Sequence, residues 1–379
     1  APELRHRPWT TPGAMAQALD RTTVQTPALQ LIDDHLAKVA AGDIDRLIIN
    51  MPPQEGKALA LDTPIATPTG WTTMGDLQVG DQVFDRHGHP CAVTWVSPTW
   101  TGRDCYTVTT GDGEKITADA AHEWVARLDR RRGERVVETT VLAKARGKHA
   151  QIIGLADLDL PAAADLPVDP YVLGAWLGDG SSRAAAITVA DDEIVERIRD
   201  AGVPCRKGRA KYAWSLTPAG ATGCSPIRRA LVDLGVWGNK HIPAVYLRGS
   251  HKQRLALLQG LVDTDGHVTV KGQVEFTSTS RPLAEGVREL VYTLGAKAVL
   301  TEGRATIDGR DCGTKYRVRF YLAGAAHIMR KAERCKDSSV ARIRYVTAEP
   351  CPSVPTRCIE VDSPDHTYLA GRTFLPTHN

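Results

Sequence analysis

Two stretches of short strands and turns, 58–154 and 343–379, stand either side of a block in which helices and alternating strands mix. No other feature constrains the fold as much. Turn signals such as Asp85-Arg86-His87-Gly88-His89-Pro90, and Gly111-Asp112-Gly113 between CYTVTT and EKITA, recur at the spacing of an all-β unit. The texture returns in RCIEVDSPDHTYLAG and TFLPTHN, beyond residues 166–334. A β domain opened by an inserted α+β domain accounts for both flanks.

Composition narrows the class without naming it. Of 379 residues, 42% are hydrophobic and 24% charged, as in ordinary globular chains. A net charge of +3 means that any nucleic-acid surface must be local. The eight cysteines form no CxxC pair, and no secretory leader is read, so reduced thiols in a cytoplasm are expected. No apolar run reaches membrane-spanning length, and a monomer is expected.

Residues 1–57 differ in texture from the rest of the chain. Ala28, Leu29, Leu31, Ile32, Leu36 and Val39 fall at helical spacing. Leu47-Ile48-Ile49-Asn50-Met51 then reads as a buried strand leading into PPQEGK. A strand followed by a loop ending in Gly-Lys is the setting of a phosphate-binding turn, whose next residue should be Ser or Thr to hold magnesium. Here Ala58 follows Gly56-Lys57, so nucleotide binding through Gly56 and Lys57 is expected to be split and inactive. Fewer than about sixty residues cannot build a doubly wound domain, so this is a fragment. It resembles the start of the ATPase of a phage terminase large subunit, of mycobacteriophage type, in a phage-infected bacterial host.

The terminal His378-Asn379 supplies the chemistry for an interruption. An Asn amide can attack its own carbonyl and cut the chain there, while a neighbouring His protonates the leaving nitrogen. With a split loop at one end, LALDTPIATPTGWTTMGDLQVGD after it and CIEVDSPDHTYLAG near the other, the chain resembles an intein over 58–379. The resemblance implies a HINT splicing fold in two parts, 58–165 and 336–379, and flanking extein segments in cis as its substrate. It also implies a junction at Lys57-Ala58, with Ser or Thr expected after Asn379. His122 in ITADAAHEWVA matches the His that distorts the upstream peptide, and His366 matches a His of the penultimate block. Asp119 stands where the family usually has Thr. Its role is open, and His122 is expected to matter more.

Ala58 has no nucleophile. The class 3 inteins lack one there too and use a Cys of the penultimate block, with a Trp two residues after the block His and a Thr before the final His-Asn. Cys358, Trp124 and Thr377 match those positions, and Trp124 is expected beside the thiol. The alternative is that Ala58 replaces a catalytic Cys and blocks splicing.

Within the insert, DPYVLGAWLGDG and RLALLQGLVDTDG each read as a helix ending in Asp-Gly. Asp169 and Ser250 are candidate caps, and Gly174 and Gly260 hold equivalent places where two helices can approach. Side by side, these helices bring Asp179 and Asp265 together, a pair suited to a divalent metal and phosphodiester hydrolysis. The pattern resembles a two-repeat LAGLIDADG homing endonuclease over 166–335. That resemblance implies Mg2+ bound by Asp179 and Asp265, a catalytic Lys240, and double-stranded DNA spanning the uninterrupted terminase gene site. The family fold acting in DNA binding alone is the alternative. Alternation in KYRVRFY puts Lys315, Arg317 and Arg319 on one face, and RKGRAK adds Arg206, Lys207, Arg209 and Lys211. A basic strand face of this kind fits the major groove.

Overall fold

The computed structural model describes residues 11–19, 27–47, 57–129, 133–145, 150–154, 157–220, 225–307, 310–338 and 343–378. The chain separates into two units, Ala1–Glu55 and Gly56–Asn379. In the first, the helix read from periodicity spans Pro27–Ala41, and a second helix spans Pro12–Leu19. The Gly13 amide donates to Asp33 Oδ1 at 2.7 Å. Apart from Leu47, the strand and loop expected over 47–56 lie outside the described residues, as does Asn379.

In the second unit, an antiparallel sheet of twelve strands draws on both β flanks. Leu59–Ala60 lies between Thr356–Arg357 and Lys115–Asp119, with Leu59 opposite both Arg357 and Ala118. Further along, Glu123–Arg127 pairs with Leu375–His378 through Glu123 and His378. The beginning and end of the β unit therefore meet in one sheet. Period-2 patterning drives these pairings: Lys115–Asp119 exposes Lys115 and buries Ile116 and Ala118.

The insert leaves the β unit after Gln151–Ile153 and re-enters at Ile343–Cys351. Those strands are antiparallel neighbours, with Gln151 opposite Tyr345, Ile152 opposite Arg344 and Ile153 opposite Ile343. Two hydrophobic cores result. The insert's core also takes in Ala66, Phe84, Leu369 and Phe374 from the β unit. A buried ion pair fastens the junction: Arg344 Nε lies 3.2 Å from Asp112 Oδ2, which also accepts from the Tyr292 hydroxyl.

Inside the insert, helices Pro170–Asp179 and His251–Asp265 pack on each other. Asp169 caps the first by accepting from the Tyr171 and Val172 amides, and Ser250 caps the second in a capping box with Gln253. The glycines set the spacing. A Cβ on Gly174 would meet Leu257 O at 2.2 Å, and one on Gly260 would meet Tyr171 O at 2.2 Å. Each helix leads into its own sheet. One is Ala186–Thr188, Ala213–Ser215 and Arg206–Lys207; the other is Gly266–Val268, Val274–Ser278, Arg310–Phe320 and Ala298–Ile307.

Candidate functional site

Two separate clusters hold the expected residues. The first surrounds the Lys57-Ala58 peptide. Asp119 N donates to the Ala58 carbonyl at 2.9 Å, fixing the chain just past that peptide. His122 is fully buried, and its Nε2 shares a short hydrogen bond with Thr377 Oγ1. Burial holds this imidazole down to about 3, although the Lys57 main chain opposes the shift. That main chain is near, yet Nδ1 makes no regular hydrogen bond among the described residues. The ring is neutral.

Trp124 is fully buried. Its indole packs edge-on to His122, with centroids 4.8 Å apart, and Nε1 donates to Thr139 Oγ1 at 3.0 Å. Thr139 Oγ1 in turn donates to the His122 carbonyl at 3.0 Å. The Trp thus positions the imidazole. Across the sheet, Cys358 is buried; its amide donates to Ser97 Oγ at 2.9 Å and its thiol points to Ile359 O at 3.5 Å. Burial first and the Asp119 charge second push this thiol up to about 12, with Lys57 and Arg103 opposing. At rest this side chain is a thiol, not a thiolate.

Glu123 is the residue that sequence reasoning missed. Its Oε2 lies 2.8 Å from Lys57 Nζ and 3.2 Å from His378 Nδ1, the latter at ion-pair distance but off the hydrogen-bond line. The one available signal was an acid directly after the block His. The Lys57 ammonium expected to have served a nucleotide is engaged by this carboxylate. His378 also faces His366, with ring centroids 6.3 Å apart. Burial and then Lys57 lower the His378 pKa.

In the second cluster, Asp179 and Asp265 lie at the paired helix ends, close enough for each to shift the other's titration. Burial raises both. For Asp265 the Asp179 charge adds to burial, pushing it up to about 6. Lys240 Nζ donates to Gly178 O at 2.8 Å and Gly180 O at 2.7 Å, closing the end of the first helix. Lys331 repeats this at the second helix, donating to Val262 O, Asp263 O and Gly266 O at 2.6–2.7 Å. No motif marked Lys331 in the sequence. Two neighbouring carboxyls that raise one another's hold on a proton would be relieved by a divalent cation, so the donor set fits Mg2+. Among the described residues, no group of three or more His, Cys, Asp or Glu could hold a metal, so water or phosphate oxygens would complete the shell.

A cleft of about 510 Å³ runs from Asp265 to the expected DNA surface, lined by Gly178, Lys240, Asp265 and Lys315. Val318 and Phe320 are buried behind Arg317 and Arg319, as alternation requires. Arg317 is ion-paired with Glu275 at 2.9 Å. Arg206, Lys207, Arg209 and Lys211 are exposed on the other sheet, with Lys207 Nζ 4.1 Å from the Trp214 ring centroid.

Residues 252–325, which carry the second helix and most of its sheet, match the family model described as a LAGLIDADG-like domain. This stretch is LAGLIDADG-like. A replicative DNA helicase DnaB of Mycobacterium intracellulare is 38% identical over 366 residues, taking in 88% of this chain and 60% of the helicase. Another DnaB, from Mycobacterium leprae strain TN, is 47% identical over 78 residues, 21% of this chain and 13% of that protein. The homothallic switching endonuclease of Saccharomyces cerevisiae is 24% identical over 226 residues, 50% of this chain and 38% of its own. These relatives are helicases and an endonuclease rather than the expected terminase. Among solved structures, the zinc-bound Msm DnaB1 intein splicing domain aligns at 18% identity and TM-score 0.30, covering 85% of this chain and all of that one. I-DmoI in complex with DNA and Ca aligns at 15% identity and TM-score 0.28, covering 42% and 85%. No helix among the described residues is long and apolar enough to cross a membrane.

Proposed function

We propose that residues 58–379 are a self-excising intein and that 166–335 within it form a DNA endonuclease. The observation that carries this reading is the single carboxylate, Glu123, whose Oε2 is 2.8 Å from Lys57 Nζ just before the segment and 3.2 Å from His378 Nδ1 near its end. An element that cuts itself out must hold its two termini together. In the proposed sequence, Cys358 Sγ attacks the Lys57 carbonyl carbon and the bond to Ala58 N breaks, leaving a thioester. The acyl group passes to a hydroxyl on the residue after Asn379. The Asn379 amide then closes on its own carbonyl while His378 supplies a proton to the leaving nitrogen.

The full chain incubated with a small thiol, its products weighed by mass spectrometry, tests this. Release of a fragment ending at Lys57 is expected, abolished by Cys358→Ala and largely kept by Ala58→Gly. Release that survives Cys358→Ala overturns the assignment of the attacker. Release that appears only with Ala58→Cys favours the blocked precursor instead.

For the endonuclease, Asp179 and Asp265 would hold Mg2+, which when bound supplies Lewis-acid stabilisation and an activated water for phosphodiester hydrolysis. Lys240 adds positive charge in the cleft beside Asp265, and Lys315, Arg317, Arg319 and the Arg206–Lys211 cluster contact phosphates. The target is double-stranded DNA of the uninterrupted host gene. Cutting that is lost in Asp265→Asn while binding stays within a few-fold supports the paired site. Binding without cutting by the unaltered chain with magnesium would favour the DNA-binding alternative. For the host we keep the terminase large subunit, on the Pro-rich, Gly-poor loop; the reading frame beyond Asn379 decides between it and a helicase.

A further inference from the structure

Asp119 was expected to matter less than His122, and its surroundings argue otherwise. Three chain segments run side by side at the junction. With Leu59 opposite Arg357 and Ala118, one step along each antiparallel ladder puts Ala58 between Cys358 and Asp119. The Asp119 amide bond to the Ala58 carbonyl holds that register. The Asp119 charge acts on the Cys358 thiol, so carboxyl and thiol are near one another at this junction. Ala58 puts little bulk between them.

The carboxyl itself is unusual. Asp119 is 2% exposed. Its Oδ2 receives Arg103 Nη1 at 2.8 Å, and that guanidinium is stacked 3.9 Å from the Trp100 ring centroid. Oδ1 is buried and has no hydrogen-bond partner among the described residues. Leaving such an oxygen without a regular partner costs about 1–3 kcal/mol, although the Ala58 and His122 main chains are near enough to favour the charged form.

We infer that Asp119 Oδ1 is the proton carrier of the first cleavage, a role that rests on the intein reading. It accepts the proton of Cys358 Sγ as sulfur bonds to the Lys57 carbonyl carbon. It returns that proton to Ala58 N as the C–N bond breaks, so the products are a thioester and a free amine, with Asp119 again a carboxylate. The groups facing this carboxyl support the assignment. Burial raises the Asp119 pKa, making it a better acceptor than an ordinary Asp, while Arg103 and the Ala58 and His122 main chains oppose the shift. The Ala58 main chain beside the carboxyl is the one that must receive the proton. His122 is unsuited, because a ring held down to about 3 gives and takes protons poorly near neutrality. Lys57 and Arg103 lower the Cys358 thiol and Glu360 raises it, but none of them sits as an unpaired buried base.

The test is thiol-induced release from the full chain, followed against pH. Proton transfer to Asp119 predicts a rate that rises as Asp119 ionises and then levels, far below the thiol's own ionisation near 12. Attack by free thiolate predicts a tenfold rise per pH unit throughout, and that profile overturns the proposal. Asp119→Asn should slow release by about 10²–10⁴-fold and turn the levelling profile into a continuous rise, with an unchanged thermal melt. Release within threefold of the unaltered chain, with the same profile, also overturns it. Should the Asn variant unfold, the profile of the unaltered chain decides alone. Cys358→Ala separates the two readings: if it releases normally, the intein mechanism fails, whereas if it is inert while Asp119→Asn is normal, only the proton carrier fails.

Discussion

Among the described residues, Thr377 Oγ1 is the one regular side-chain partner of the fully buried His122 imidazole. Thr377→Val keeps the shape and leaves His122 Nε2 bare, so a loss of about 1–3 kcal/mol is expected in urea unfolding. The same burial gives a pH signature. His122 has a folded pKa of about 3 against an ordinary 6.5, so its contribution is complete above 6.5 and is lost as pH falls toward 3. The unfolded chain binds one more proton in that window, so stability should drop by up to about 1.4 kcal/mol per pH unit there. His122→Gln should flatten that slope in melts taken at successive pH values. Glu123 acts in the other direction on His378, favouring its protonated form. Glu123→Gln should move the His378 titration, followed by NMR, to lower pH. His122, Trp124, Thr377 and Cys358 could be nominated from the sequence because their types and spacing carry chemistry. Glu123, Arg103 and Thr139 were not, because their importance comes from strands that meet only in the fold.

Helix-pair packing was legible for a different reason: a glycine at an equivalent place in two capped helices is a local signal of close approach. Its cost is testable. Gly260→Ala places a Cβ 2.2 Å from Tyr171 O, against backbone that cannot swing away. The helices must part, so destabilisation of about 1–3 kcal/mol is expected in chemical unfolding, along with lost DNA cutting as Asp179 and Asp265 separate. Cation binding should also depend on pH. Asp265 holds its proton up to about 6, and a metal needs both carboxylates bare, so Mg2+ affinity measured by calorimetry should climb as pH rises through 6. Lys331 escaped the sequence reading because the lysines in MRKAERCK have no periodic or motif signature. Its three carbonyl partners come from a helix end far along the chain.

At the scale of the molecule, Asp112 links turn, helix and strand through Arg344 and Tyr292. Burial would raise its pKa, but Arg344 and the Thr110 hydroxyl outweigh this and hold it below the usual carboxylate range. Its stabilisation is therefore present above the unfolded value near 3.8 and is lost as pH falls below it. Asp112→Asn strands the Arg344 charge, and breaking such a pair costs about 3–5 kcal/mol, visible as a lowered melting temperature. Both flanks of the β unit could be read in the sequence, but not that its core residues would lodge in the insert's core. That lodging matters for the history of the chain. The strands through which the insert enters and leaves are ladder neighbours, about 4.8 Å apart. A genome that lost the coding span for 157–338 would leave two strand ends that a short turn can join, so the insert is a detachable passenger. The scar would be chemical rather than topological: Ala66, Phe84, Leu369 and Phe374 would lose their cover, and a lineage that shed the insert should carry polar residues there.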